Sequence, residues 1–218
     1  MAKIFERELR HLEQQMTAFG ARVEENILLA VQAVRTRDLP LAARIIAEDE
    51  KIDAEEVRLE EECLKILALH QPVAIDLRMV VAVLKINSDL ERVGDCAVTI
   101  ATSARELCEL PEAPVPEPLG LLADSALGML KGALDAFVRM DGAGARRVCQ
   151  LDPTVDNAHR AVYEQVKASI ARQPLAVEIG LHMLRISHAL ERVGDHAANI
   201  AEDVIYIVEG GIVRHRDI

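Results

Sequence analysis

The hexapeptide Leu90-Glu91-Arg92-Val93-Gly94-Asp95 returns unchanged, 100 residues later, as Leu190-Glu191-Arg192-Val193-Gly194-Asp195. Six consecutive identities in a 218-residue chain mark a tandem duplication. Such a chain must fold one kind of unit twice and then pack the two units together. Each copy also sets two carboxylates four residues apart, which on a helix puts them on one face, about one turn from each other.

The two copies are separated by Leu110-Pro111-Glu112-Ala113-Pro114-Val115-Pro116-Glu117-Pro118, whose prolines forbid helix and make a stiff linker. We therefore divide the chain into a first three-helix bundle (1–110), a linker (111–118) and a second three-helix bundle (119–218). On both sides of the linker, apolar residues recur at helical spacing, for example Leu9, Leu12, Met16, Phe19, Val23 and Ile27. The chain is 50% hydrophobic but only 2% aromatic, with no Trp. An Ala, Leu, Val and Ile core of this kind suits closely packed helices.

In the first half the pattern predicts helices over 3–36, from Asp38 and Pro40 to His70, and from Ala74 to Glu109, with Gln71-Pro72 as the break. In the second half it predicts a helix over 119–140, a turn at Asp141-Gly142, one helix onward to Arg172, a Gln173-Pro174 stop, and a helix from Leu175 to Glu209 closed by Gly210-Gly211. The fold expected is all-α, six long helices in two tandem up-down-up bundles.

The last helix of each half carries the strongest signal. Met79, Val83, Ile86, Leu90, Val93, Ala97, Ile100, Ala104 and Leu107 follow a 4-3-4-3 spacing. Ile179, Met183, Ile186, Leu190, Val193, Ala197, Ile200, Val204 and Ile207 repeat it, giving each half a coiled-coil-like seam. On the opposite stripe Leu77, Val81 and Leu84 give way to Ser88, Glu91 and Asp95; Leu181 and Leu184 give way to His188, Glu191 and Asp195. A helix apolar on two sides is packed on two sides, so the acids continue a partly buried stripe.

Net charge is −11, which argues against a nucleic-acid binder and suits basic or cationic partners. Cys63, Cys96, Cys108 and Cys149 form no C-x-x-C pair and are read as reduced thiols of a cytoplasmic protein. The charged start Met1-Ala2-Lys3-Ile4-Phe5-Glu6 is unlike a signal peptide. No apolar run approaches the ~18 residues of a membrane span, so a membrane is reached only through a partner.

Guided by the repeat, two more acid pairs emerge: Asp49 with Asp53, and Asp152 with Asp156. Each half thus places two acid-x-x-x-Asp pairs on neighbouring helices. Like charges one turn apart cost a few tenths of a kcal/mol even on exposed helices, and burial raises that cost. Its repetition at equivalent positions points to a compensating cation, and all-oxygen ligation favours hard ions such as Mg²⁺, Ca²⁺, Mn²⁺ or ferric iron. His188 and His196 are possible additional ligands; Ser88 and Cys96 replace them in the first half. A second reading stays open on spacing alone, in which the acids pair with Arg92, Arg192 and other basic residues on solvated faces. Gly94 and Gly194, each costing ~1 kcal/mol inside a helix, are expected to mark close helix crossings.

The segment Ile186-Ser187-His188-Ala189-Leu190-Glu191-Arg192-Val193-Gly194-Asp195-His196-Ala197-Ala198-Asn199-Ile200-Ala201-Glu202 strongly resembles the signature helix of the PhoU family, with Leu90 to Ala101 as its first-half counterpart. The resemblance covers essentially the whole chain. It implies two three-helix bundles related by a pseudo-twofold axis, and a cytoplasmic, non-enzymatic regulator of phosphate uptake and the phosphate-starvation response. Such proteins link the ATPase subunit of the phosphate ABC transporter to a sensor histidine kinase, act as negative regulators, and are often homodimers. Some hold iron or zinc clusters through a repeated E/D-x-x-x-D motif, which maps onto Asp49 and Asp53, Glu91 and Asp95, Asp152 and Asp156, Glu191 and Asp195. Manganese or magnesium is compatible with the same ligands.

Two departures stand out. Pro153 lies inside one motif, where it is expected to remove a helical hydrogen bond and kink the helix. Cys96 and Thr99 stand where the second copy has His196 and Asn199. Two other classes compete. A carboxylate-bridged di-metal redox enzyme needs Glu-x-x-His on two helices; only Glu8-x-x-His11 fits, with Asp156-x-x-His159 a near match, and neither repeats. A metal-free helical scaffold is the third. No phosphate-cradling glycine loop or nucleophile–base grouping is present.

Overall fold

A computed structural model of the chain describes residues 2–173 and 176–211, and every regular element among them is a helix. They are α1 (Ala2–Thr36), α2 (Leu39–His70), α3 (Ala74–Glu109), α4 (Glu117–Arg139), α5 (Gly142–Cys149), α6 (Asp152–Arg172) and α7 (Val177–Glu209). Helices α1–α3 make one bundle. Helices α4 and α7, with α5 and α6 sharing one arm, make the other.

Local chemistry sets the boundaries. Asp38 caps α2 by accepting the Leu41 N–H at 2.9 Å, with Pro40 in the first turn; Asp141 caps α5 through the Gly144 N–H at 2.9 Å. Gln71 closes α2 in a left-handed conformation, φ 47°, and Gly210 closes α7 at φ 76°. The expected stop at Pro174 and start at Leu175 lie outside the described residues. Glu117 and Pro118, read as linker, are already the first turn of α4, because proline is well tolerated there.

The larger departure is in the second half. The single helix expected from the Asp141-Gly142 turn to Arg172 is broken at Gln150-Leu151 into α5 and α6. Pro153 explains the break. Its ring would meet the carbonyl four residues back, at Cys149, which is the last residue of α5. Proline therefore sits in the first turn of α6, where it costs no hydrogen bond, rather than kinking a continuous helix.

Helices α3 and α7 form the spine. They run antiparallel, with Lys85 Nζ 3.0 Å from Asp203, Asp89 2.9 Å from His196, and Glu106 3.4 Å from His182. The seam residues of both helices are buried, except the half-buried Ile179. Successive methyl-rich layers along this spine remove apolar surface from water, the main favourable term in folding. Among the described residues no helix is long and apolar enough to cross a membrane. All four cysteines are free thiols, Cys63 and Cys96 buried and the other two half-buried.

Candidate functional site: two carboxylate clusters

Each repeated glycine marks a helix crossing. A Cβ on Gly94 would lie 3.0 Å from Ile52 Cγ2, and one on Gly194 would lie 2.9 Å from Val155 Cγ1. Ile52 sits between Asp49 and Asp53 on α2, and Val155 between Asp152 and Asp156 on α6. Gly94 and Gly194 each directly precede the second acid of their own pair. Bare backbone on one helix thus admits a branched side chain from its neighbour, and the four acids of each half are drawn to one crossing.

The two crossings match in burial. Glu91 and Asp49 are half-buried while Asp95 and Asp53 are exposed; Glu191 and Asp152 are half-buried while Asp195 and Asp156 are exposed. Within each group of four the carboxylates act on one another. Burial raises the Asp49 carboxyl above its ordinary range, with Asp53 and Asp95 adding repulsion. Burial raises Glu91, with Asp95, Asp53 and Glu56 adding to it. In the second half burial raises Asp152, then Asp156 and Glu191. Partial burial among Glu191, Asp152 and Asp156 pushes Asp195 up to about 6. Neither Arg92 nor Arg192 forms an ion pair with these acids among the described residues, although the Arg92 charge pulls Glu91 down and His188 approaches Glu191, so basic neighbours offset part of the repulsion.

The clusters differ at their rims. Glu56, three residues after Asp53, faces the first cluster; its carboxyl is raised by burial, then by Glu60 and Asp53. The equivalent place after Asp156 is His159. His188 lies one turn before Glu191, where the first half has the exposed Ser88. The two imidazoles are neighbours, ring centroids 6.2 Å apart. His159 Nδ1 is 2.8 Å from the buried Ser187 Oγ, and His188 Nδ1 is 3.1 Å from Glu191 Oε2. The second contact is a charge approach without hydrogen-bond geometry, since Glu191 Oε2 is buried without a hydrogen-bond partner. His196, expected beside the carboxylates, is engaged elsewhere. It is buried in the α3–α7 seam, its Nδ1 2.9 Å from Asp89, which also accepts from Asn199 at 3.2 Å.

His159 and Glu56 join the rims of the clusters without belonging to the repeated acid motif. The signal was available: each sits three positions beyond an acid of the motif, on the same helical face.

Among the described residues no group of three or more His, Cys, Asp or Glu side chains is already arranged to hold a metal ion. The donors nonetheless fit a cation. Asp152 Oδ1 and Glu191 Oε2 are buried acceptors without hydrogen-bond partners, and a buried carboxylate oxygen left unpaired costs on the order of 1–3 kcal/mol. A cation between α6 and α7 would satisfy both and offset the burial, and the added repulsion, that raise Asp152 and Asp195.

The PhoU domain family model matches this chain twice, over residues 16–104 and 119–204. The chain is 38% identical over 212 residues to a Pseudomonas putida protein named phosphate-specific transport system accessory protein PhoU homolog, covering 97% of this chain and 83% of that one. The crystal structure of PhoU from Pseudomonas aeruginosa superposes with a TM-score of 0.90 at 37% identity, covering 95% of this chain and 100% of that one. The phosphate transport system regulatory protein PhoU from Streptococcus pneumoniae gives 0.89 at 31% identity, covering 98% and 100%.

Proposed function

The chain belongs to the PhoU family, and on that premise we propose that it is a non-catalytic regulator joining phosphate uptake to phosphate-starvation signalling. The observation that carries the reading is the whole-length match to relatives named as accessory and regulatory proteins of phosphate transport rather than for a reaction. The finer reading is that the protein works in the cytoplasm as a homodimer, restrains the starvation response, and binds both the ATPase subunit of the phosphate ABC transporter and a sensor histidine kinase. Its net charge of −11 supports basic partner surfaces, whose attraction fades as salt screens it. Affinity capture from native cytoplasmic and membrane fractions is the test. Recovery of both components at low salt, and less at high salt, is expected; recovery of neither, in phosphate-rich and phosphate-poor growth alike, overturns the reading.

Metal binding is the second part of the proposal. Asp49, Asp53, Glu91 and Asp95 would hold one cation site, and Asp152, Asp156, Glu191 and Asp195 the other. A bound cation would supply charge neutralisation across a helix pair, so that occupancy stiffens the α2–α3 or α6–α7 crossing. The orphan oxygens of Asp152 and Glu191 support this, as do the raised carboxyls of Asp49 and Glu91 in the first half and of Asp152 and Asp195 in the second. The di-metal oxidase alternative loses its one complete motif. Glu8 is committed to His70, Oε2 to Nε2 at 2.7 Å, and His70 is the last residue of α2, ~25 Å along the helix from Asp53.

A further inference from the structure

The two clusters offer different donor atoms. Around the first cluster the rim positions are Glu56 and Ser88, both oxygen donors. Around the second they are His159 and His188. Taking metal binding by the carboxylates as its basis, we propose that the second-half site takes its cation with imidazole nitrogen from His159 and His188 as well as carboxylate oxygen. The first-half site takes a cation through oxygen alone. The second then prefers a borderline ion such as Zn²⁺ or Fe²⁺, and the first a hard one such as Mg²⁺ or Mn²⁺.

Three observations place the histidines. First, His159 stands three residues beyond Asp156 on α6, in the pseudosymmetric place of Glu56, whose charge acts on Glu91 in the first half. Second, His188 Nδ1 already stands 3.1 Å from Glu191 Oε2, the buried oxygen that lacks a hydrogen bond. Third, His159 is held as ligating histidines are. In the tautomer that donates Nδ1–H to Ser187 Oγ at 2.8 Å, Nε2 keeps its lone pair and the ring is oriented by a buried partner. In the first half the same inter-helix tie is made to backbone instead, Asn87 Nδ2 donating to the Glu56 carbonyl at 2.9 Å. That tie leaves the Glu56 carboxylate available as an oxygen donor.

The test titrates the purified full-length protein with Zn²⁺ against a chromophoric chelator and with Mn²⁺ by electron paramagnetic resonance. Helix content is checked by circular dichroism. Replacing His159 and His188 together by Gln should weaken one Zn²⁺ site at least tenfold and leave the Mn²⁺ site within twofold. Glu191→Gln with Asp195→Asn should remove the same Zn²⁺ site. The reciprocal variant, Glu56→His with Ser88→His, should strengthen Zn²⁺ at the first-half site at least tenfold, which keeps the proposal testable should the glutamine variant unfold. Zn²⁺ affinity unchanged in the His159/His188 variant overturns this inference and leaves the carboxylate reading standing. No binding of either ion by the unsubstituted chain overturns both.

Discussion

The α2–α3 and α6–α7 crossings are the same device built from one duplicated sequence, and they differ in three ways. The first has a continuous helix carrying its acids; the second has a helix that restarts at Asp152. The first is rimmed by oxygen donors, the second by imidazoles. The first packs Gly94 against the Cγ2 methyl of Ile52, whereas the second packs Gly194 against Val155 more tightly, with two further Val155 atoms at 3.4 Å. A duplication therefore preserves the hard geometric demand, a bare backbone beneath a branched side chain. Meanwhile the groups that tune chemistry drift apart. Asp89 with His196 shows the same drift: its counterpart across the seam is Ala189 with Cys96, a buried thiol pushed up to about 11.

Helix continuity should separate the halves most. Glu50 occupies in α2 the place of Pro153 in the second half. Glu50→Pro would remove a mid-helix hydrogen bond and should cost about 3 kcal/mol or more in urea unfolding. Pro153→Ala should cost less than about 1 kcal/mol, because that proline sits in a first turn. Equal effects from the two would show that α5 and α6 behave as one helix.

The glycine crossings come next. Gly194→Leu and Gly94→Leu should each destabilise by about 2 kcal/mol through overpacking, with the larger loss at Gly194. Thermal melts of the two variants measure the difference, and a larger loss at Gly94 would reverse the packing comparison.

Ligand removal should act on one half at a time. Glu91→Gln with Asp95→Asn should roughly halve the bound metal, as should Glu191→Gln with Asp195→Asn, by elemental analysis of folded protein. Unchanged stoichiometry in either would delete that half's site from the proposal.

The smallest effect is on pH dependence. Asp195 titrates at about 6 in the folded chain and near ~3.9 when unfolded, so the folded state holds an extra proton between those values. Its contribution to stability is present below about pH 4 and is lost as pH rises through 6. Asp195→Asn should therefore raise the melting temperature at pH 7 in the absence of metal and flatten the profile between pH 4 and 7. The shift should be modest because the carboxylate is partly solvated. Asp95→Asn serves as the first-half control.

Much of this was legible in the residues. The repeated hexapeptide established two equivalent units, the 4-3-4-3 stripes located both spine helices, and Asp38, Gln71-Pro72 and Gly210 marked helix ends where the structure has them. These are local signals, because helical periodicity and capping depend on residues within a turn or two of each other. The break at Gln150-Leu151 is written in Pro153, whose effect reaches only four residues back, but the local pattern predicts a kink where the structure has a restart.

What the sequence determined by itself was the all-α class, the duplication, the buried faces and the eight acids. What the tertiary structure decided was company. That His159 meets His188, that Glu56 faces Glu91, and that His196 is turned to Asp89 all follow from where two helices cross and in which register α3 and α7 run. Periodicity names the face a residue occupies. It cannot name the side chain opposite, because that depends on how closely two backbones approach, and here a missing Cβ at Gly94 and at Gly194 sets that distance.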